Sequence, residues 1–220
     1  MKILRNNVKS NATAFTLIEM IGVLAVIGIL AALLIPKIFD AINSARVNGA
    51  AVSINTIKTA TADHYAKYGI LNSSNGNTLT VALPSTVTNF DTILLNEQML
   101  DKTLSVKICP SNAMVELVQV PSTNSGAVTP AATYNSSTAT DWAFDLADTN
   151  GVNTVAGTVG VVVYLPNVLE SDAKALNDVI DGPALGVPLL APTGDLYGRV
   201  KYTPNTGSGL VNMTIYVTHR

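Results

Sequence analysis

The sequence predicts an α+β protein in which one long N-terminal helix, its first half membrane-spanning, packs on an antiparallel β-sheet. Three observations lead to this fold class. Residues 15–35 form a nearly uncharged apolar run, a helical pattern continues from there to Tyr68, and later segments are rich in β-branched residues between Gly/Pro turns. We expect a basic leader at 1–14, a transmembrane helix at 15–36, an exported amphipathic half of the helix at 37–70, and an exported β-rich domain at 71–220.

The apolar run FTLIEMIGVLAVIGILAALLI occupies residues 15–35 and contains one charged residue, Glu19. As a helix at about 1.5 Å per residue it spans roughly 32 Å, which matches the hydrocarbon core of a bilayer. The apolar part of a secretory signal is shorter, about 7–15 residues. Residues 1–14 contain three basic residues and no acid. This charge distribution predicts that the N-terminus stays in the cytoplasm and that the chain beyond the run is exported.

Glu19 is the unusual residue of the run, because an unpaired carboxylate in a membrane helix costs about 2.5 kcal/mol or more. One interpretation is a capping box, since Thr16-x-x-Glu19 has the required spacing at a helix start. A second interpretation gives Glu19 a basic partner. Cleavage between Ala14 and Phe15 would create such a partner, because the new α-amino group is cationic at neutral pH. A neighbouring chain could donate it, and the two interpretations are compatible.

The stretch Ala14-Phe15-Thr16-Leu17-Ile18-Glu19-Met20 follows a short basic leader and precedes a long apolar helix. It resembles the class III signal of type IV pilins and type II secretion pseudopilins, and the likeness extends from residue 10 to about residue 70. The resemblance implies a pilin-like fold. It also implies that a membrane aspartyl peptidase cuts before Phe15 and N-methylates its amine, and that Glu19 pairs with the Phe15 amine of an adjacent subunit. Ala14 departs from the pattern, since the family usually has Gly there.

The resemblance further implies a structural subunit that polymerises through its hydrophobic helix. Its partners would be copies of itself, related pilins, prepilin peptidase, and an inner-membrane assembly platform with its ATPase. The protein would cross the bacterial inner membrane once, N-terminus inside, and then enter a periplasmic or cell-surface filament. The sequence does not distinguish a pilus subunit from a pseudopilus subunit, nor a major subunit from a minor one. One alternative is a monomeric, membrane-tethered exported binding domain. Another is a secreted protein cut near Ala31-Ala32, which the site before Phe15 argues against.

Beyond the membrane run, apolar positions recur at helical spacing in two offset stripes. The first stripe contains Ile38, Ile42, Ala45, Gly49 and Val52, and the second contains Ala50, Ile54, Ile57, Thr61, Tyr65 and Tyr68. We expect a helix from about Phe15 to Tyr68, with Gly69 as its stop. Pro36 and Gly22 are the predicted kink positions, because proline lacks the N–H that a helix interior requires and glycine is a weak helix former.

The remainder predicts an antiparallel sheet with two short helices. The expected helices are Thr88–Asp101 and Leu169–Ile180. The expected strands are Ser105–Cys109, Met114–Val120, Trp142–Leu146, Thr158–Leu165, Leu196–Thr203 and Leu210–Thr218, the last two as a hairpin. Loops are expected at 71–89, 121–140 and 148–157. We expect the long helix to bury one face of the sheet and solvent to meet the other.

Composition and motifs exclude several function classes. The 220 residues carry a net charge of −2 and no basic cluster, so general nucleic-acid binding is not supported. Cys109 is the only cysteine, which rules out an intrachain disulfide, and we expect it to be buried. His64 and His219 have no Cys, Asp or Glu at ligand spacing, and no nucleophile, Walker or dinucleotide motif is present. The sequence therefore predicts a protein that is not an enzyme.

One metal hypothesis concerns Asp178, Asp181 and Asp195, which flank a Gly/Pro-rich loop. Loops that supply carbonyl oxygens and carboxylates can hold calcium. Major pseudopilins have a calcium site in a C-terminal loop at a loosely similar position. The alternative is that these acids face water at a helix end and a turn. No other cofactor is expected.

Overall fold

The computed structural model describes residues 15–71, 86–87, 89–111, 113–119, 144, 159–182, 195, 198–204 and 209–219 of the 220-residue chain. The chain divides into two compact units, Met1–Ile42 and Asn43–Arg220. In order, the described elements are α1 (Leu17–Tyr68), β1 (Thr86–Val87), α2 (Phe90–Asn96), β2 (Met114–Gln119), β3 (Val159–Leu169), α3 (Glu170–Ile180), β4 (Val200–Pro204) and β5 (Leu210–His219). The predicted α+β architecture is confirmed.

Helix α1 buries one face against the domain from Val47 onward. Its buried residues recur at spacings of three and four: Val47, Ala50, Ala51, Ile54, Ile57, Ala60, Thr61 and His64. The second predicted stripe therefore faces the core. The first stripe lies on the helix as predicted but does not face the core, since Ala45 and Gly49 are exposed and Val52 is 65% exposed. At 100° per residue, Val52 lies about 200° from Ile54 and so on the opposite side of the helix.

The predicted stop of α1 at Gly69 is confirmed. Gly69 has φ +75°, and its N–H donates to the Tyr65 carbonyl at 2.7 Å. A left-handed residue at this position closes the last turn, and glycine adopts that conformation without steric cost.

The strands form a single antiparallel sheet in the order β1-β2-β3-β5-β4. β4 and β5 pair as the predicted terminal hairpin, with Val200 opposite Ile215. β3 is central and longer than predicted, because it continues past Pro166 to Leu169. A bulge between Leu165 and Val168 makes this possible, since it removes Pro166 from the hydrogen-bonded ladder.

Three further element predictions need correction. The predicted strand Ser105–Cys109 is a turn whose Cys109 N–H donates to the Val106 carbonyl at 3.2 Å. Its apolar residues are buried in the core without strand pairing. Thr86–Val87 forms an edge strand inside the predicted loop 71–89, and it pairs with β2. β4 begins at Val200 rather than Leu196.

Helix α2 ends earlier than the predicted Asp101. Gln98 takes φ +62°, and the Met99 N–H donates to the Leu94 carbonyl at 2.9 Å. This is a Schellman-type ending with glutamine in the position that glycine usually takes. No glycine marks this stop in the sequence. The apolar residues Met99 and Leu100 therefore led to a predicted helix that is too long at its C-terminal end. Of the expected strand Trp142–Leu146 only Phe144 is described, and the expected loops 121–140 and 148–157 lie outside the described residues.

Both faces of the sheet are buried, so the predicted solvent-facing side is wrong. On the helix face, alternate strand residues join the core with α1: Val115, Leu117, Val161, Val163, Leu165, Val200, Tyr202, Val211, Met213, Ile215 and Val217. The intervening residues form the second face, and these too are buried: Glu116, Val162, Tyr164, Lys201, Thr214 and Tyr216. Phe144 lies against this second face, with its ring centroid 5.5 Å from that of Tyr216.

Candidate functional site

The start of α1 carries a capping box formed by Thr16 and Glu19. The Glu19 carboxylate accepts from the Thr16 backbone N–H at 2.9 Å and from the Thr16 hydroxyl at 2.7 Å. In return, the Glu19 N–H donates to the Thr16 hydroxyl oxygen at 3.3 Å. The spacing predicted this arrangement, which satisfies backbone donors that an uncapped helix leaves open. In the uncut chain the nitrogen of Phe15 is an amide, so no cationic amine is present.

The first part of α1 exposes a largely apolar surface. Every residue from 15 to 45 is exposed, including Phe15 at 73% and Leu17 at 76%. Among the described helices, α1 is the one long and apolar enough to cross a membrane. A soluble monomer rarely leaves such a patch uncovered, so this surface requires lipid or other protein.

Gly22 and Pro36 both lie inside α1, which runs through them without a break. Pro36 leaves the carbonyl four residues before it without its helical donor. A Cβ added at Gly22 would meet no atom within 4 Å, so the space beside this residue is open. A kink at these positions stays a prediction.

Residues 9–35 match the family model of the prokaryotic N-terminal methylation motif. The chain carries the prepilin-type N-terminal signal. The matched segment contains Ala14, Phe15 and Glu19, the residues expected to form the cleavage and assembly site. The prepilin-type signal and the apolar helix together are consistent with membrane anchoring. The motif is a structural, pilin-type signal and does not define an enzyme class. No curated protein and no solved structure matches the chain.

Two of the three acids of the calcium hypothesis, Asp181 and Asp195, accept hydrogen bonds from protein groups, and the third, Asp178, is half-buried on α3. The Asp181 carboxylate accepts from the backbone N–H groups of Arg199 at 2.8 Å and Val200 at 2.9 Å. Asp195 is fully buried and accepts from the side-chain amide of Asn177. Within the described ranges, no three His, Cys, Asp or Glu side chains group as metal ligands. Calcium binding stays a prediction.

Asp181 positions the start of β4. Burial raises the pKa of its carboxyl, and the two N–H groups that it accepts from partly offset this rise. Gly198 permits this approach, because a Cβ at that position would lie 2.5 Å from the Asp181 Oδ2. The Asp181 carboxylate therefore links the end of α3 to the first strand of the terminal hairpin by hydrogen bonds.

A buried polar pair that the sequence did not predict joins α1 to the end of α2. The His64 Nδ1 lies 2.6 Å from the Glu97 Oε2, with both side chains almost fully buried. The imidazole packs between Tyr68 and Phe90, at centroid distances of 4.9 and 5.4 Å. The partners are 33 residues apart, which no local spacing could indicate. The sequence offered one signal that His64 is buried, because His64 follows Thr61 of the second stripe by three residues and so lies on the same side of the helix.

Two other titratable side chains, Cys109 and Glu116, are also buried. Cys109 is buried as predicted, its thiol donates to the carbonyls of Ser111 and Pro166, and burial raises its pKa. A thiol in this setting is inert. Glu116 on β2 is fully buried, and among the described residues neither carboxylate oxygen has a hydrogen-bond partner. Its burial contradicts the prediction that the second face of the sheet meets solvent.

Proposed function

We propose that this chain is a structural subunit of a type IV pilus or a type II secretion pseudopilus. Prepilin peptidase would cut it between Ala14 and Phe15 and methylate the Phe15 amine, after which it polymerises through its N-terminal helix. The observation that carries this proposal is a prepilin-type signal at residues 9–35 that includes the start of a long helix, whose residues are exposed up to residue 45. A structural role also agrees with the absence of a catalytic motif in the sequence.

The exposed helix needs a cover at every stage. Before assembly the bilayer supplies it, and in a filament the helices of neighbouring subunits do. Lipid tails are as apolar as these side chains, so helix association depends on close packing rather than on further burial from water. Gly22 and Gly28 suit such packing, because the space at both is open.

Glu19 determines the register of the proposed assembly. In the uncut chain its carboxylate is satisfied by Thr16. Cleavage adds a cationic amine at Phe15, and the amine of a neighbouring subunit would pair with Glu19 in apolar surroundings. A charge pair there is favourable, since an unpaired carboxylate in the membrane costs about 2.5 kcal/mol or more. Thr16 would keep Glu19 hydrogen-bonded until that neighbour arrives.

The proposed location and partners follow from this assembly. The precursor would cross the inner membrane once with its N-terminus in the cytoplasm. It would then meet prepilin peptidase, the assembly platform and its ATPase, and finally join copies of itself and related pilins. A monomeric tethered binding domain would share the anchor but would not enter a sheared filament fraction.

The test replaces Glu19 by alanine in cells that contain the peptidase and the assembly machinery. We expect Glu19→Ala to insert and to be cut before Phe15, yet to lose most of its yield in sheared surface material. Asp40→Ala is the matched control, because Asp40 is an exposed acid farther along the same helix. Normal filament yield from Glu19→Ala would remove the assembly role from this residue.

A further inference from the structure

Glu116 is a buried acid on the second face of the sheet. Its exposed fraction is 0%, and within the part of the chain that the structure describes both carboxylate oxygens lie buried without a hydrogen bond. Its neighbour across the ladder is Val162, which is apolar and 2% exposed. Native proteins rarely leave a buried polar group in this condition, so the group calls for an explanation.

The described titratable groups on this face do not neutralise Glu116. Tyr216 lies beyond Val162 on β5, and its hydroxyl bonds to the His219 Nδ1. Lys201 is on β4, which β3 and β5 separate from β2, a distance of roughly 14 Å at about 4.8 Å per strand. Its Nζ lies 4.4 Å from the centroid of the Phe144 ring.

Tyr164 lies on the same face of β3 and pairs with Met114 and Thr214 rather than with Glu116. The described surroundings of the carboxyl therefore favour its neutral form. An isolated carboxylate in an apolar interior is costly, and the usual response is to take up a proton. Burial raises the pKa of Glu116 from 4.5 to about 7.

We propose that Glu116 is a proton-operated switch on the second face of the sheet. When it is protonated, the face keeps its packing, and when it is ionised, the charge favours opening of this face to water. The contribution of Glu116 accordingly makes the domain more stable in acid than at neutral pH. This inference does not depend on polymerisation, and it holds for a tethered monomer as well.

The direction follows from proton linkage. Because the pKa is higher in the folded than in the unfolded chain, the folded state binds more protons between pH 4.5 and about 7. The contribution of Glu116 to stability is complete below pH 4.5 and is lost as the pH rises to about 7. Over this range the unfolding equilibrium constant changes by up to about 300-fold from this group alone.

The test compares the full-length chain with Glu116→Gln in detergent micelles from pH 4 to pH 8. Urea unfolding is followed by near-UV circular dichroism, which reports the packing of the domain. We expect the wild-type unfolding constant, divided by that of Glu116→Gln, to rise by on the order of 100-fold from pH 4 to pH 8. The wild-type chain thus loses stability relative to the variant as the pH rises. Glu170→Gln is the control, because Glu170 is exposed, and its curve should follow the wild type.

Parallel curves for wild type and Glu116→Gln would overturn the proposal. Should Glu116→Gln fail to fold, Glu116→Met removes the carboxyl with an apolar side chain of similar length, and the same expectation applies. A direct measurement uses the wild-type chain and does not depend on the folding of a variant. The carboxyl ¹³C resonance of Glu116 should titrate near pH 7 in the wild-type chain, and titration near 4.5 would refute the switch.

Discussion

Replacing one member of the His64–Glu97 pair is expected to destabilise the domain more than replacing both. The two side chains are 0% and 4% exposed, and their 2.6 Å contact is their shared hydrogen bond. Removing one partner leaves the other buried without its bond. We expect that loss to cost about 3 kcal/mol of unfolding free energy. The range for a buried group that loses its hydrogen-bond partner and the range for a broken buried ion pair meet at this value.

The variants are chosen to keep packing constant. His64→Phe retains an aromatic ring between Tyr68 and Phe90, and Glu97→Met retains an unbranched chain. The double variant also removes the His64 Nε2 and the Glu97 Oε1, two buried atoms for which the described ranges offer no hydrogen-bond partner. We therefore expect it to cost less than either single variant, since an apolar pair can replace a buried polar pair with little loss.

The assay is urea unfolding of the full-length chain in detergent micelles, read by near-UV circular dichroism. The double-mutant cycle gives the coupling free energy directly, and we expect it to exceed about 3 kcal/mol, the cost of either single variant. Additive single effects, or single variants within about 0.5 kcal/mol of wild type, would refute the role given to this pair.

Three other substitutions or additions test neighbouring parts of the structure. Gly198→Ala should lower the urea midpoint by more than Gly209→Ala, because both have positive φ but only at Gly198 does the new Cβ collide with Asp181. Thr16→Val should speed amide hydrogen exchange in the first turn of α1 by roughly five- to tenfold, as expected for about 1 kcal/mol of lost capping, whereas Thr16→Ser should not. If calcium binds near Asp195, a chelator should lower the melting temperature of the domain, and an unchanged melting temperature would retire that hypothesis.

Strong periodic signals in the sequence predicted the largest elements correctly. The apolar run and the second stripe gave α1, and Gly69 gave its end. The β-branched segment of β3 and the alternation of β5 gave the centre of the sheet. These signals succeed because burial of one helix face or one strand face imposes a period on the sequence.

The failures occur where local patterns do not determine burial. Val106 and Ile108 are buried in a turn, so an apolar run there read as a strand. Glu116 lies on the face of the sheet that was predicted to meet solvent, whereas that face is buried. The His64–Glu97 contact spans 33 residues, and only the tertiary fold brings its members together.

The prepilin-type signal was predictable because it is contiguous in sequence, and its role is the central claim. The most direct measurement is the intact mass and N-terminal sequence of the mature protein, from membranes and from sheared surface material. We expect a chain that begins with N-methylated Phe15 in both fractions. A chain cut near Ala32, or an uncut chain confined to membranes, would contradict the proposed pilin-like assembly.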